Sequence, residues 1–198
     1  MTTFFLVRHA AHQHQDAVLV GRMTGVRLAE AGRHQARRLA ERLSGERITT
    51  VQSSPRERAR ETGEPIAARA GVPLEIAAAL DEIDLGGWTG KSLAALDDDA
   101  RWRRWNASRG SARPPQGESM AALQHRVWKH LQALNAAQAA GRIVLVSHAE
   151  GIRAVLLHCL GIGLDDFARI EVAPASISTV AIDASGPRVL AVNEAVPP

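Results

Sequence analysis

The chain has 198 residues, of which 45% are hydrophobic and 23% are charged, a composition typical of a globular domain rather than a disordered or fibrous protein. Its apolar runs are far shorter than the roughly 20 residues that a membrane span requires, and no leader segment is visible, so we expect a cytoplasmic protein without a membrane partner. A single cysteine excludes a disulfide framework and a metal site built on several cysteines.

The basic residues are unusually uniform in type. The formal net charge is only +3, yet all but two of the 24 basic residues are arginine. Codon bias explains this usage as simply as function does, although arginine is also the side chain best suited to holding a phosphate or carboxylate. The Arg–Trp cluster at residues 101–105 is too short for the basic, aromatic-rich stripe of a nucleic-acid-binding surface. We therefore expect no nucleic-acid partner.

Strand-like and helix-like segments alternate along the chain. The predicted elements are a strand at 3–8, a helix at 28–43, a strand at 48–52, a helix that begins at Ser54 and breaks or kinks at Pro65, a helix from 120 to about 141, a strand at 143–147, a helix at 152–160, and strands at 176–182 and 188–192. This alternation predicts a three-layer α/β/α sandwich with a mostly parallel central sheet.

Residues 83–115 do not fit this alternation. Glycine, tryptophan, arginine and acidic residues cluster there, and only residues 93–96 show a weak helical pattern. We interpret the segment as a small cap insertion within a single domain of residues 1–198. Trp88 is expected to pack inside it, whereas Trp102 and Trp105 either pack or face a substrate. Its arginines would make the mouth of a site positive and attract an anionic substrate.

Polar residues suited to phosphate follow three of the predicted strands. Arg8 and His9 follow the first strand, a helix carrying Arg58 follows the second, and His148 follows the strand at 143–147. Because ligands bind beyond the carboxyl ends of parallel strands, we expect these side chains to face one crevice. Arginine and helix N-termini hold phosphate, and a neutral imidazole is a competent nucleophile toward phosphorus. The sequence therefore predicts a phosphate site with histidine chemistry.

A zinc site is an alternative for the same region. His12 and His14 lie beside His9, and a His-x-His pattern can bind zinc. Zinc usually requires a further carboxylate or thiolate, and only Asp16 is near in the sequence, so we expect no metal. Either histidine can instead contact the substrate.

Six segments also match the motifs of a known family in the family's order. They are LVRHA at 6–10, LAEAGRHQA at 28–36, SSPRERARET at 53–62, LDEIDLGGWTG at 80–90, PQGES at 115–119 and VSH at 146–148. Each match is weak alone, but six in order are specific. The chain thus resembles the histidine phosphatase superfamily, which includes the phosphoglycerate mutases, and the resemblance implies the phosphoglycerate mutase-like form of the predicted sandwich.

The resemblance implies catalytic roles for five residues. His9 is the nucleophile that forms a phosphohistidine. Arg8, Arg58 and a cationic His148 hold the phosphoryl oxygens and stabilise the transferring group, so that neither a metal nor another cofactor is implied. Glu82 is the general acid that protonates the leaving oxygen and then the base that activates water, which requires a raised pKa. Asp81 and Asp84 are close rivals for this role.

Further residues are implied as substrate contacts. Arg103 and Arg104 resemble the arginine pair with which mutases hold the substrate carboxylate. Gln15 stands where the family often has an asparagine, and Ala10 stands where it usually has a glycine. The implied substrate-binding set is Arg8, Arg58, His148, Gln15, Ala149, Arg22, Arg103 and Arg104.

The implied function is a metal-independent phosphomonoester hydrolase that acts through a phosphohistidine on a small phosphorylated metabolite. A cofactor-dependent phosphoglycerate mutase is the alternative; residues 82–90 are similar to the phosphatase branch, whereas Arg103 and Arg104 favour the mutase. A catalytically silent phospholigand-binding protein is a second alternative, against which the intact His9 and Glu82 argue. The final strand is free to pair across a two-fold axis in a homodimer.

Overall fold

The computed structural model describes residues 1–14, 18–138 and 140–196, and these residues contain six strands and six α-helices. They are β1 (Thr2–Arg8), α1 (Glu30–Leu43), β2 (Thr50–Ser53), α2 (Glu57–Ala70), β3 (Leu74–Ile76), α3 (Leu93–Leu96), α4 (Ala100–Ala107), α5 (Met120–Ala137), β4 (Arg142–Ser147), α6 (Ala149–Leu160), β5 (Ile177–Asp183) and β6 (Gly186–Glu194). Within these ranges no helix is long and apolar enough to cross a membrane.

The strands form one sheet in the order β3-β2-β4-β1-β5-β6. β4 pairs in parallel with β1 and β2, and β2 pairs in parallel with β3, whereas β5 is antiparallel to both β1 and β6. The predicted, mostly parallel sheet is therefore confirmed. The sequence prediction missed β3, because a strand of three residues at the sheet edge carries too short a pattern.

Burial on both faces of the sheet explains the continuous apolar run of β1. Phe4 and Leu6 point toward the layer that contains α5 and α6. Phe5 and Val7 point toward α1 and α2 on the other side. Each such side chain contributes about 1.5–3 kcal/mol when it is fully buried. The predicted three-layer sandwich is thus confirmed, with β1 and β4 in its interior.

The start of α2 differs from its prediction. The predicted cap is Ser54, but the helix begins at Glu57, with Arg56 at the N-cap position and no side-chain cap. The hydroxyl of Ser54 accepts the backbone N–H of Arg56 at 3.3 Å and also contacts the site described below. Pro65 lies inside α2 and does not break it, because buried residues on both sides, such as Thr62 and Ile66, fix the helix by tertiary packing.

The 83–115 segment leaves the sheet layers and folds over their edge on the α5–α6 side. It contains α3 and α4, and Trp88 is fully buried within it as predicted. The ring of Trp102 lies edge-on to Trp88 at 5.3 Å between ring centroids. The backbone N–H of Gly110 donates to the carboxylate of Asp165 at 2.7 Å, which ties the segment to the rest of the chain.

Helix α1 lies directly against the chain that follows β1. The carbonyl oxygen of Ala11, two residues after His9, accepts a hydrogen bond from the backbone N–H of Ala29 at 3.0 Å. A methyl group added at Gly32 would overlap the same carbonyl oxygen. The glycine is therefore required by close approach, and this approach fixes the backbone beside His9.

We expect Gly32→Ala to lower the free energy of unfolding by about 2 kcal/mol, the usual cost of overpacking, although alanine is the better helix former. Urea denaturation followed by circular dichroism measures the change. Gly45→Ala is the matched control, since an added methyl group there meets no described atom within 4 Å. Equal midpoints for Gly32→Ala and the wild type would contradict the close packing.

Candidate active site

The carboxyl ends of β1, β2 and β4 lie side by side and open into one cavity. Arg8 is opposite Ser147 in the β1–β4 register, so His9 and His148 leave adjacent strands. The cavity has a volume of about 220 Å³. Its wall includes four of the five predicted catalytic residues, namely Arg8, His9, Arg58 and Glu82. The fifth, His148, is fully buried behind this wall, with its ring centroid 5.2 Å from that of His9.

Two hydrogen bonds fix the tautomer of His9. Its Nδ1 lies 2.9 Å from the carbonyl oxygen of Ala10, which can only accept, so Nδ1 carries the proton. Its Nε2 accepts a hydrogen bond from Nε of Arg58 at 3.3 Å and therefore carries the lone pair. Burial, together with the charges of Arg58 and Arg8, holds the pKa of His9 well below its ordinary value. The ring is thus neutral, and its nucleophilic nitrogen is Nε2.

Arg58 joins the two histidines. It is fully buried in the first turn of α2. Its Nη2 donates to the carbonyl oxygen of Gly21 at 2.8 Å and to Nδ1 of His148 at 3.1 Å. Its Nη1 is buried and has no hydrogen-bond partner among the described residues, although it belongs to a charged group. A phosphoryl oxygen in the cavity would supply the missing acceptor.

His148 lies beside Arg58, behind the cavity wall. Its Nε2 donates to Oγ of Ser54 at 2.7 Å, since that hydroxyl in turn donates to the carboxylate of Asp81. Burial and the charge of Arg58 lower the pKa of His148 well below its ordinary value. Both effects favour the neutral ring over the cationic form that the resemblance implies, because burial beside an arginine penalises a second positive charge.

Glu82 is a carboxyl group in the cavity wall, close to His148. Its Oε2 lies 3.7 Å from Nδ1 of His148, and its Oε1 accepts a hydrogen bond from the backbone N–H of Ile83 at 2.8 Å. Burial raises its pKa to about 7, against the opposing effect of the Arg58 charge. A carboxyl group with this pKa is protonated in about half of the molecules at neutral pH, as an acid–base catalyst requires.

The structure separates Glu82 from its two rivals. Asp81 forms a bidentate ion pair with Arg56, with both N–O distances 2.8 Å, and accepts the backbone N–H of Glu82. Asp84 is more exposed and accepts the backbone N–H of Gly86 at 2.9 Å. Neither aspartate lines the cavity.

A network of ion pairs holds the backbone of Glu82 from behind. Its carbonyl oxygen accepts from Nε of Arg22 at 2.7 Å and from Nη2 of Arg126 at 3.3 Å. Both arginines are held by Oε2 of Glu118, at 3.0 Å and 2.8 Å. Arg22, which was predicted to bind substrate, therefore lies behind the acid and outside the cavity wall. Arg126 was missed, because nothing in its helical surroundings distinguishes it in the sequence.

The other predicted substrate contacts fall in different places. Ala149 lines the cavity, whereas Arg103 and Arg104 are exposed on α4 and lie outside its wall. Gln15 lies outside the described residues. Arg109, which the sequence marked only as one of several arginines near the mouth, does line the cavity.

His12 and His14 also line the cavity, and the ring of His12 lies 5.4 Å from that of His9. In the part of the chain that the structure describes, no group of three or more His, Cys, Asp or Glu residues is placed to hold a metal ion. Asp16, the carboxylate considered for the zinc alternative, is outside that part.

The class of the protein follows from a comparison with known families. A model of the histidine phosphatase superfamily, branch 1, matches residues 4–195. Because the match spans nearly the whole chain, the protein belongs to this superfamily, and the resemblance drawn from the sequence motifs is confirmed.

The relatives include phosphatases and a probable phosphoglycerate mutase. The chain is 30% identical to phosphoserine phosphatase 1 of Hydrogenobacter thermophilus, over 91% of this chain and 86% of that protein. It is 29% identical to a probable phosphoglycerate mutase GpmB of Photorhabdus laumondii, over 91% of this chain and 85% of the relative. The solved structure of a mycobacterial glucosyl-3-phosphoglycerate phosphatase matches with a TM-score of 0.88 at 24% identity, over 98% of this chain and 99% of the other, which shows a shared fold.

We expect Glu82→Gln to stabilise the protein at pH 8. The pKa of Glu82 is about 7 in the folded protein against an ordinary value of 4.5, so the folded state binds the extra proton between these values. Stability therefore falls as the pH rises from 4.5 to 7, by about 3 kcal/mol in all, and the neutral glutamine avoids this loss.

Denaturation at pH 8 and at pH 5 measures this effect. The gain in unfolding free energy for Glu82→Gln should be large at pH 8 and small at pH 5. Glu64→Gln removes an exposed carboxylate from α2 and serves as the control. A gain of the same size at both pH values would show that Glu82 does not titrate near neutrality.

Proposed function

We propose that the protein is a metal-independent phosphomonoester hydrolase that forms a phosphohistidine on His9 and acts on a small phosphorylated metabolite. The observation that carries this proposal is the bond from Nε of the buried Arg58 to Nε2 of His9. It leaves the lone pair of a neutral imidazole on Nε2 and places that nitrogen beside the guanidinium that would hold a phosphoryl group; the hydrogen bond gives way when Nε2 attacks phosphorus. The phosphatase names of related proteins agree with this function.

In the first step, Nε2 of His9 attacks phosphorus and the ester P–O bond breaks. The proton of Glu82 passes to the leaving oxygen, so that an alcohol departs rather than an alkoxide. Arg58 and Arg8 stabilise the charge that develops on the transferring phosphoryl oxygens. The proton on Nδ1 stays on the ring, where the carbonyl oxygen of Ala10 balances the positive charge that the phosphorylated imidazole acquires.

In the second step, the ionised Glu82 takes a proton from a water molecule as that water attacks phosphorus. The P–N bond breaks, inorganic phosphate leaves, and Glu82 and His9 regain their starting states. A pKa near 7 suits both directions of proton transfer, because the same carboxyl group donates in one step and accepts in the other.

The size of the cavity supports a small substrate. Its volume of about 220 Å³ is below the roughly 300–1,000 Å³ of pockets for drug-sized ligands. Residues of the 83–115 segment, among them Trp102 and Trp105, form one side of its wall. We propose that this segment acts as the cap of a single domain. A cytoplasmic location and a homodimer stay predictions from the sequence.

The mutase and the silent binder are less supported. A mutase of the kind considered would hold the substrate carboxylate with Arg103 and Arg104, and both lie outside the cavity wall. A protein that only binds a phosphate needs neither the fixed tautomer of His9 nor the raised pKa of Glu82.

Hydrolysis of p-nitrophenyl phosphate in excess EDTA tests the proposed function. We expect turnover that EDTA does not abolish and that falls by at least about 10³-fold in His9→Ala, because no covalent intermediate can form. His125→Ala, which removes an exposed histidine on α5, should keep wild-type activity. Interconversion of 3- and 2-phosphoglycerate without hydrolysis would instead identify a mutase, and EDTA-sensitive turnover would contradict the metal-free mechanism.

The pH dependence separates the role of Glu82 from that of the nucleophile. For an alkyl ester such as glycerol phosphate, kcat/KM should fall about tenfold per pH unit above pH 7, as Glu82 loses the proton that the leaving alkoxide needs. p-Nitrophenolate leaves without protonation, so for p-nitrophenyl phosphate kcat/KM should fall less steeply above pH 7. Glu82→Gln should lower alkyl ester hydrolysis by roughly 10²–10⁴-fold. If kcat/KM fell equally steeply above pH 7 for both substrates, Glu82 would be excluded as the acid.

A further inference from the structure

Arg109 and Glu150 line the same cavity as His9 and Glu82, yet the proposed reaction uses neither. Arg109 belongs to the 83–115 segment, and Glu150 lies in the first turn of α6, two residues after His148. The two side chains form an ion pair with an N–O distance of 3.3 Å. This pair adds a second buried carboxyl group, besides that of Glu82, to a wall that also carries the positive charges of Arg8 and Arg58.

Arg109 is held rigidly. Its guanidinium lies between the rings of Trp105 and Phe167, at 4.4 Å and 4.0 Å from the ring centroids. Its Nη2 donates to the side-chain oxygen of Asn106 at 2.9 Å. The side chain is only 7% exposed, so it cannot swing toward solvent without leaving both rings. Arg109 therefore positions Glu150.

The hydrogen-bonding capacity of Glu150 is only half used. Oε1 lies 3.3 Å from Nη1 of Arg109 and 3.3 Å from Nη1 of Arg153, both longer than the usual 2.7–2.9 Å of charge-assisted bonds. Oε2 is buried and accepts no hydrogen bond from any residue that the structure describes. A buried carboxylate oxygen without a donor is unfavourable, and Glu150 lines the cavity in which the proposed substrate would bind.

The surroundings of Glu150 indicate which kind of donor group would pair with its Oε2. The wall combines charged groups with apolar side chains such as Ile83 and Trp102, and the burial of Oε2 strengthens its attraction to a cation. Glu150 and Glu82 line the same cavity, and the negative charge of Glu150 helps to raise the pKa of Glu82. A donor that pairs with Glu150 can therefore belong to the same small substrate whose ester oxygen Glu82 protonates.

We propose that Glu150 is a specificity-determining residue that binds a protonated amine on the substrate, and that the protein prefers phosphate monoesters of amino alcohols, including amino acids, over their hydroxyl analogues. This inference rests on the proposed function and adds the substrate class. Arg8 and Arg58 hold the phosphoryl end, Glu150 holds the ammonium group, and Arg109 keeps the carboxylate of Glu150 in place.

O-phospho-L-serine and 3-phospho-L-glycerate form a matched pair of probes, because they have the same configuration and differ only in an amine against a hydroxyl group; 3-phosphoglycerate below means this L enantiomer. We expect kcat/KM to favour O-phospho-L-serine by tenfold or more in the wild type, and this ratio to fall toward one in Glu150→Gln. O-phosphoethanolamine, which lacks the carboxylate, shows whether a simple amino alcohol suffices. Because both substrates share one active site, their ratio cancels any general change in the acid.

Two controls keep the result specific to the charge of Glu150. Glu150→Asp, which keeps the carboxylate, should retain part of the preference. Glu171→Gln, which removes an exposed carboxylate outside the cavity wall, should retain all of it. A wild-type ratio near one, or a ratio that Glu150→Gln leaves unchanged, would overturn the proposal.

Calorimetric binding to His9→Ala separates this proposal from the proposed function. If the wild type hydrolyses no ester but His9→Ala binds O-phospho-L-serine at least tenfold more tightly than 3-phosphoglycerate, the hydrolase proposal fails and the amine site stands. That binding preference must then disappear in the double variant with Glu150→Gln. Hydrolysis without either preference would leave the hydrolase and remove the amine site.

Discussion

The burial of one arginine determines the chemistry of the whole site. Arg58 is fully enclosed at the start of α2, and its three nitrogens are directed to His9, to His148 and the carbonyl oxygen of Gly21, and into the cavity. Removing a guanidinium from water is costly, and burial lowers even the pKa of this group. The fold accepts this cost because a dry, fixed positive charge is worth more to a transferring phosphoryl group than a hydrated one.

The same burial shifts the pKa values of the two histidines and of the glutamate in opposite directions. Burial disfavours whichever form is charged, so it lowers the pKa of His9 and His148 and raises that of Glu82. A neutral imidazole at His9 and a protonated fraction of Glu82 therefore coexist at neutral pH. The positive charge of Arg58 works with burial at the histidines and against it at the glutamate, which keeps the pKa of Glu82 near 7.

The sequence predicted the features that depend on local pattern. Apolar runs located β1 and β4, and the rule that parallel strands share an edge brought His9, Arg58 and His148 together. It could not predict features that depend on the reach of side chains across the fold. The hydroxyl of Ser54 accepts a hydrogen bond from His148 and does not form the N-cap of α2. Arg109 enters the cavity because aromatic rings from two segments clamp it, whereas Arg103 and Arg104, which fit a family pattern, face outward.

The two ends of the 83–115 segment are fastened to each other. The backbone N–H of Gly87 donates to the carbonyl oxygen of Pro115 at 2.9 Å, and that of Glu118 donates to the carbonyl oxygen of Asp84 at 2.7 Å. Gly86 has a positive φ and lies so close to Pro115 that no side chain would fit. The segment is therefore a closed loop on a short stem beside Glu82. Exchanging the residues inside the loop would leave the contacts that hold its ends in place, so the residues at the carboxyl ends of β1, β2 and β4 would keep their positions.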